Sequence, residues 1–319
     1  MTTPPTRRND LHVVLGAGPA GTAIAEELAD RGLRVRHVDR AAISDTDSRV
    51  EVVRADVSTI EGAIDATDGA AVIYHAVNVA YHLQVAVMPE IATSVMAAAE
   101  AHGAKLVVLD TLYPYGEAQG EHITESTPWA ATSRKGKLRA ELDRRYLDAH
   151  SAGTVRTAMG RSADFFGPGV LTSTLGGAFF PAALAGQPAL AFGDIELLHS
   201  YSYIPDIARG LATLGTTGRG DGRIWHLPTV PAVSTTEIHR IVEEIIDAPV
   251  TVDLLTEPKP YGPFDETFMS EYAEMFYQHR IPQNMVSGAF ESTFGLHPTP
   301  LRDALRDTVD WYRDYLARA

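Results

Sequence analysis

No cysteine occurs among the 319 residues of the chain, which excludes disulfides, thiolate nucleophiles and cysteine-ligated metals. Runs of about 18 apolar residues unbroken by charge are also missing, so no bilayer-crossing helix is expected and a cytoplasmic location is read by default. Residues 1–10 are polar, with two prolines and two arginines, and lack the apolar stretch of a secretory leader. They read as a loose tail. Positive charge is in short supply as well: 27 Lys plus Arg stand against 41 Asp plus Glu, a net charge of -14. Such a balance argues against nucleic acid as a partner. The 12 histidines are scattered, with no HExxH pairing, so no metal site is expected.

What is present is a glycine-rich turn in a telling place. Gly16-Ala17-Gly18-Pro19-Ala20-Gly21 follows the apolar strand Leu11-His12-Val13-Val14-Leu15 and opens an apolar-patterned helix that Gly32 is placed to stop. Glycine permits the tight turn, the close approach of backbone to a pyrophosphate and close helix packing, while free amides at the helix start favour an anion. The next strand, Val35-Arg36-His37-Val38, delivers Asp39, eighteen positions after Gly21, where a carboxylate can meet an adenosine ribose. Arg40 follows it and would suit a 2'-phosphate, but a carboxylate at 39 repels that phosphate, so NAD is favoured and NADP kept open.

Apolar runs near Leu11, Val35, Glu51, Ala71, Lys105 and Thr154 alternate with helical patterns. This predicts an α/β fold, a Rossmann-type doubly wound parallel sheet, followed by a smaller C-terminal α/β substrate lobe. Residues 11–165 read as the dinucleotide-binding domain and 166–319 as mainly the substrate lobe, with some chain returning to the first. Helices are expected over 89–102, with Pro89 in the first turn, and over 133–150. On the second, Leu138, Leu142 and Tyr146 form a stripe that suits either the core or a subunit contact. Residues 251–290 read as a partly helical cover, and Leu301, Leu305, Val309, Tyr312 and Leu316 as the apolar face of a closing helix.

Taken together these motifs resemble the extended short-chain dehydrogenase/reductases, the NAD-dependent epimerase/dehydratase group, over roughly residues 11 to 210. Leu15, Gly18 and Gly21 stand where that family has GxxGxxG. Ala55-Asp56-Val57 is similar to its acidic motif that binds adenine, and the strand ending His75-Ala76 to the one beneath the nicotinamide. Phe165-Phe166-Gly167-Pro168-Gly169 and Tyr203-Ile204-Pro205-Asp206 resemble two later signatures, although an arginine usual before the second appears as His199.

The resemblance implies cofactor binding by Gly16, Gly18, Pro19, Ala20, Gly21, Asp39, Arg40, Asp56, Val57, His75, Ala76 and Lys137. By count from Gly116, Thr111 is the hydroxyl that polarises the substrate oxygen, with a second reading as a loop cap. The family's YxxxK pair is broken: aligning Lys137 on its lysine puts Ser133 at the tyrosine, too weak an acid to substitute simply. Tyr113, two residues after Thr111, is the candidate donor in its place. Lys137 then holds the nicotinamide ribose; its alternative reading is a solvated member of the cluster Arg134-Lys135-Lys137-Arg139. The expected activity is hydride transfer between nicotinamide and a small carbonyl, alcohol or activated alkene. The other reading, prompted by the missing tyrosine, is a redox-silent sensor of the dinucleotide. A homodimer paired through the helices at 89–102 and 133–150 is implied by the resemblance, with a small-molecule substrate and no membrane partner.

Overall fold

The computed structural model of the protein describes residues 9–41, 47–118, 121–261 and 264–318. The tail expected at residues 1–10 falls mostly outside these, as do Gly262 and Pro263 of the cover.

The strands are β1 (Leu11–Leu15), β2 (Arg34–Asp39), β3 (Val50–Arg54), β4 (Ala70–His75), β5 (Lys105–Thr111), β6 (Arg156–Ser162), β7 (Asp164–Phe166), β8 (Ala189–Phe192), β9 (Leu198–His199), β10 (Tyr201–Tyr203), β11 (Ile224–His226), β12 (Val233–Ser234) and β13 (Val252–Leu255). Seven of them make one sheet, in the order β11-β6-β5-β4-β1-β2-β3, and each pairing within it is parallel. Strand order reverses between β1 and β4, which opens a crevice at their C-terminal ends. The remaining strands pair as β10-β7, β12-β9 and β13-β8.

The helices are α1 (Pro19–Asp30), α2 (Ile60–Ala66), α3 (Gln84–His102), α4 (Arg134–Ala152), α5 (Phe180–Leu184), α6 (Ile204–Thr216), α7 (Thr235–Ile246), α8 (Glu266–Tyr272), α9 (Gly288–Phe294) and α10 (Leu301–Arg318). Because successive strand residues point to opposite faces, Val13, Ile73, Leu106 and Val108 pack against Ala63, Ile91, Val95 and Leu142 of α2 to α4. Val14, Val72 and Val107 face the other way, onto Ile24 and Leu28 of α1 and Ile207 and Leu211 of α6. This is the doubly wound arrangement. Residues of α6 and β11 return to the first half, where β11 pairs with β6. A second core, built from Phe179, Phe180, Ile238, Val242, Leu305, Val309 and Tyr312, joins α5, α7 and α10.

Two helix expectations are corrected. The helix expected at Pro89 starts at Gln84, directly after a 3-10 turn over Tyr81–Leu83, so Pro89 lies inside it. Proline there withholds the amide that would meet the Val85 carbonyl, at a helix face where Val85 is exposed. Helix α4 runs two residues past the expected end, to a left-handed Gly153. Its stripe of Leu138, Leu142 and Tyr146 is buried within the single chain, which makes it core.

Candidate active site

A cavity of about 720 Å³ opens at the crevice and runs from the glycine-rich turn to the cover. At its first end the chain is shaped by glycines that nothing else replaces. Gly16 has φ of 100°, and a Cβ on it would lie 3.0 Å from the Ala76 backbone. One on Gly21 would sit 1.8 Å from the Gly16 carbonyl oxygen, so α1 packs on β1 at a distance only glycine allows. Gly18, the N-cap of α1, instead faces open space. Pro19 occupies the first helical turn, where its missing N–H costs nothing. Residues 16–20 all line the cavity.

Asp39 locks this turn: its Oδ2 accepts from the Ala17 amide at 2.8 Å and its Oδ1 from the Ala41 amide at 2.8 Å. His37 supports it from below, Nε2 lying 2.9 Å from the Gly16 carbonyl oxygen. Burial lowers the pKa of His37 against the opposing pull of that bond. Sequence reasoning missed His37, although alternation along β2 places it on the same side as Asp39. Ala76 lines the cavity. His75 does not: it is buried on the opposite face of the strand, where desolvation pushes its pKa down to about 3. Arg40 is exposed, its carbonyl taking a bond from Arg54 Nε at 2.9 Å. Asp56 is exposed and turned onto its own loop, accepting from the Ser58 amide at 2.9 Å, while Val57 is buried with its carbonyl held by Ser94. None of Arg40, Asp56 and Val57 is among the described residues that line the cavity.

Mid-cavity, β5 ends on Thr111 and a 3-10 turn carries Tyr113. Both line the cavity. The Tyr113 hydroxyl sits 2.7 Å from that of Tyr81, another lining residue. Burial raises the pKa of both phenols, strongly for Tyr113, so each stays protonated at neutral pH.

On α4 the expected pair, Ser133 and Lys137, lies outside the cavity lining. Ser133 is the N-cap of α4, its Oγ accepting from the Gly136 amide at 3.1 Å, and Lys137 is exposed. Two residues are about 200° around a helix, so the face turned inward carries Lys135 and Arg139 instead. Arg139 lines the cavity and donates to Asn78 Oδ1 at 3.1 Å. Lys135 is fully buried, held by Glu271 Oε2 at 2.6 Å and Glu274 Oε1 at 2.8 Å. It thereby ties the cover to α4. Below these groups Arg161 pins β6 to β5 and α4 through Asp110 Oδ2 at 2.5 Å and through Asp143.

The far end is aromatic, walled by Phe192, Phe264, Phe268 and Tyr272, and Asp164 lines the same cavity. Asp164 Oδ2 lies 3.0 Å from His199 Nε2. Burial works against the Asp164 charge, but the His199 bond and the fields of His199 and His279 together outweigh it and hold the carboxyl below its ordinary range. His199 stacks on His279, which burial lowers to about 4 and so keeps neutral. Among the described residues no cluster of three metal-ligating side chains forms, and no helix is long and apolar enough to cross a membrane.

Comparison with solved structures gives the same fold. MoeE5, in complex with UDP-glucose and NAD, matches with a TM-score of 0.76 at 19% identity, over 97% of this chain and 100% of that one. UDP-glucose 4-epimerase from Thermotoga maritima matches at 0.78 with 16% identity, over 96% and 99%. The DesIV double mutant, a dTDP-glucose 4,6-dehydratase from Streptomyces venezuelae, matches at 0.78 with 20% identity, over 97% and 98%. No curated protein matches the sequence. The model of the NAD dependent epimerase/dehydratase family matches residues 12–227, the glycine turn, Thr111, Tyr113 and Arg139 included, and the chain belongs to that family.

Proposed function

We propose that this enzyme moves a hydride between NAD and a carbonyl or alcohol carbon of a small substrate seated beside Thr111 and Tyr113. The observation that carries the proposal is that one cavity joins the glycine turn to these two hydroxyls. The turn fits a dinucleotide on its own geometry: Gly18 offers open space at a helix N-terminus, where a pyrophosphate needs amides and no side chain. Gly16, Gly18, Pro19, Ala20 and Gly21 would form the cradle. Asp39 would meet the adenosine ribose, since carboxylate oxygens accept more than one bond, and its charge disfavours a 2'-phosphate. Arg139 takes the role expected of Lys137, offering its guanidinium to the nicotinamide ribose. When bound, the dinucleotide supplies hydride transfer at its nicotinamide ring.

The protein's own part is to bind, orient and exchange one proton. Thr111 donates a hydrogen bond to the reacting oxygen, and Tyr113 donates the proton as that oxygen gains charge. Burial raises the pKa of the phenol, which keeps the proton on Tyr113 until the reacting oxygen gains charge. The Tyr81 hydroxyl orients Tyr113. The aromatic cover, with Arg139 the one Arg or Lys among the described lining residues, favours an apolar body over the diphosphate sugars named with the solved relatives. Residues 11–165 serve as the cofactor domain and most of 166–319 as the substrate lobe. The α4 stripe, being core, lends pairing of two copies no support.

The test is titration of the pure chain with NAD and NADH, followed by near-ultraviolet absorbance of the nicotinamide across a panel of carbonyls and alcohols. Tight NAD binding with a substrate-dependent change is expected. A chain that binds cofactor yet never changes its absorbance would replace this reading with that of a sensor.

A further inference from the structure

We propose that the aromatic end of the cavity takes a basic amine, so that the substrate carries a protonated nitrogen seated against Asp164. The inference deepens the reading above and rests on it for the identity of the substrate site. Asp164 opens β7, two residues past the end of β6, and 23% of its side chain stays accessible although the residue is deep in the protein. That surface faces the cavity, which Asp164 lines. One carboxylate oxygen receives His199 Nε2–H at 3.0 Å; among the described residues no hydrogen bond reaches the other. An ionised carboxylate in such a place calls for a cation.

Among the described residues His199 is the one titratable group at hydrogen-bond distance, and it meets only one of the two oxygens. Arg139 is directed to Asn78, Lys135 is spent on Glu271 and Glu274, and His279 is neutral. A second carboxylate, Asp265, lines the same end and caps α8. The Asp164 charge is felt by the phenols of Tyr81, Tyr113 and Tyr272, and Phe268, which lines the same cavity, packs on the rings of Tyr81 and Tyr272; aromatic faces attract an ammonium group. A carboxylate with one oxygen open to the cavity, a histidine that orients it and aromatic side chains in the same lining form a site for an amine. The same groups repel a phosphate.

The experiment is calorimetric titration of the NAD-loaded full chain with three matched probes: 2-phenylethylamine, 2-phenylethanol and 3-phenylpropanoate. The amine is expected to bind at least about tenfold more tightly than the alcohol, and the carboxylate more weakly than both. In Asp164→Asn the amine's advantage should vanish while affinity for the alcohol and for NAD is kept. Equal binding of amine and alcohol, preference for the carboxylate, or binding of none of the three overturns the proposal, and so does an amine preference that survives in D164N. Should D164N fail to fold, the selectivity of the native chain and of Phe268→Leu decides it, the latter expected to lose severalfold for the amine alone. An amine preference in a chain that does not bind NAD would uphold this site and overturn the cofactor reading.

Discussion

At the glycine-turn end the cavity wall is backbone and small residues from two short stretches, residues 16–20 and Asp39, whereas the far end is walled by side chains from segments scattered between Tyr81 and Gln283. The first end is fixed by what cannot be there: a Cβ at Gly16 or Gly21 has no room. The second is fixed by what is there, rings stacked on rings and one carboxylate. A site of the first kind tolerates almost no change and serves one ligand class. A site of the second kind keeps its fold through substitutions and can change its substrate.

Breaking the first end should therefore have the largest effect. In Gly21→Val the new Cβ would meet the Gly16 carbonyl oxygen at 1.8 Å, and backbone has no flexible end to give way. Loss of soluble folded protein, or a rise of at least about 1,000-fold in the NAD dissociation constant, is expected. Gly18→Ala is the control, because its methyl enters open space. Its melting temperature should stay within about 2 °C of the parent, while NAD affinity falls about tenfold as the methyl occupies the phosphate approach. Equal NAD affinity in Gly18→Ala would place the pyrophosphate elsewhere.

Acid should weaken both ends together. Burial lowers His12, His226, His239 and His279 to about 4 and His75 to about 3, so the native chain refuses protons that the unfolded chain takes up below pH 6.5. The stability is complete above that pH and is lost as pH falls towards 4, by up to about 3 kcal/mol for each histidine. Urea midpoints measured at pH 7.5, 6.0 and 5.0 should fall in that order. A flat profile would mean that these imidazoles are protonated in the fold.

At mid-cavity the effect should be confined to turnover. Tyr113→Phe removes one hydroxyl from a buried pair and no volume, so kcat should drop about 100-fold with NAD affinity unchanged. Its partner variant Tyr81→Phe should cost less, about tenfold, since Tyr81 only orients the donor. If Tyr113→Phe turns over at the parental rate, the donor is another group and Tyr113 is a wall.

The succession of strands and helices and the glycine turn were legible because each is a local pattern: apolar runs of five or six residues between helical patterns, and three glycines between a strand and a helix. Asp39 was legible for the same reason. The pair Asp164 and His199 was not, because they are 35 positions apart and meet only when β7 pairs with β10. The start of α3 was misread since proline marks a first turn in most helices, and here a 3-10 turn already supplies one. Asp56 and His75 were placed by resemblance, and neither is among the described residues that line the cavity.

On helix α4 the resemblance and the cavity lining point to different residues. Lys137 matches the expected lysine by type, yet it is exposed, and Arg139 is the residue that reaches the cavity. The two variants Arg139→Met and Lys137→Met separate these readings, since both keep the length of the stem and remove the charge. Arg139→Met should raise the NAD dissociation constant about tenfold and lower kcat with it, through loss of a charge-assisted bond inside a closed site. Lys137→Met should change either constant by less than about twofold, as solvated surface substitutions do. The reverse result would make Lys137 the partner of the ribose and leave Arg139 a wall residue held by Asn78.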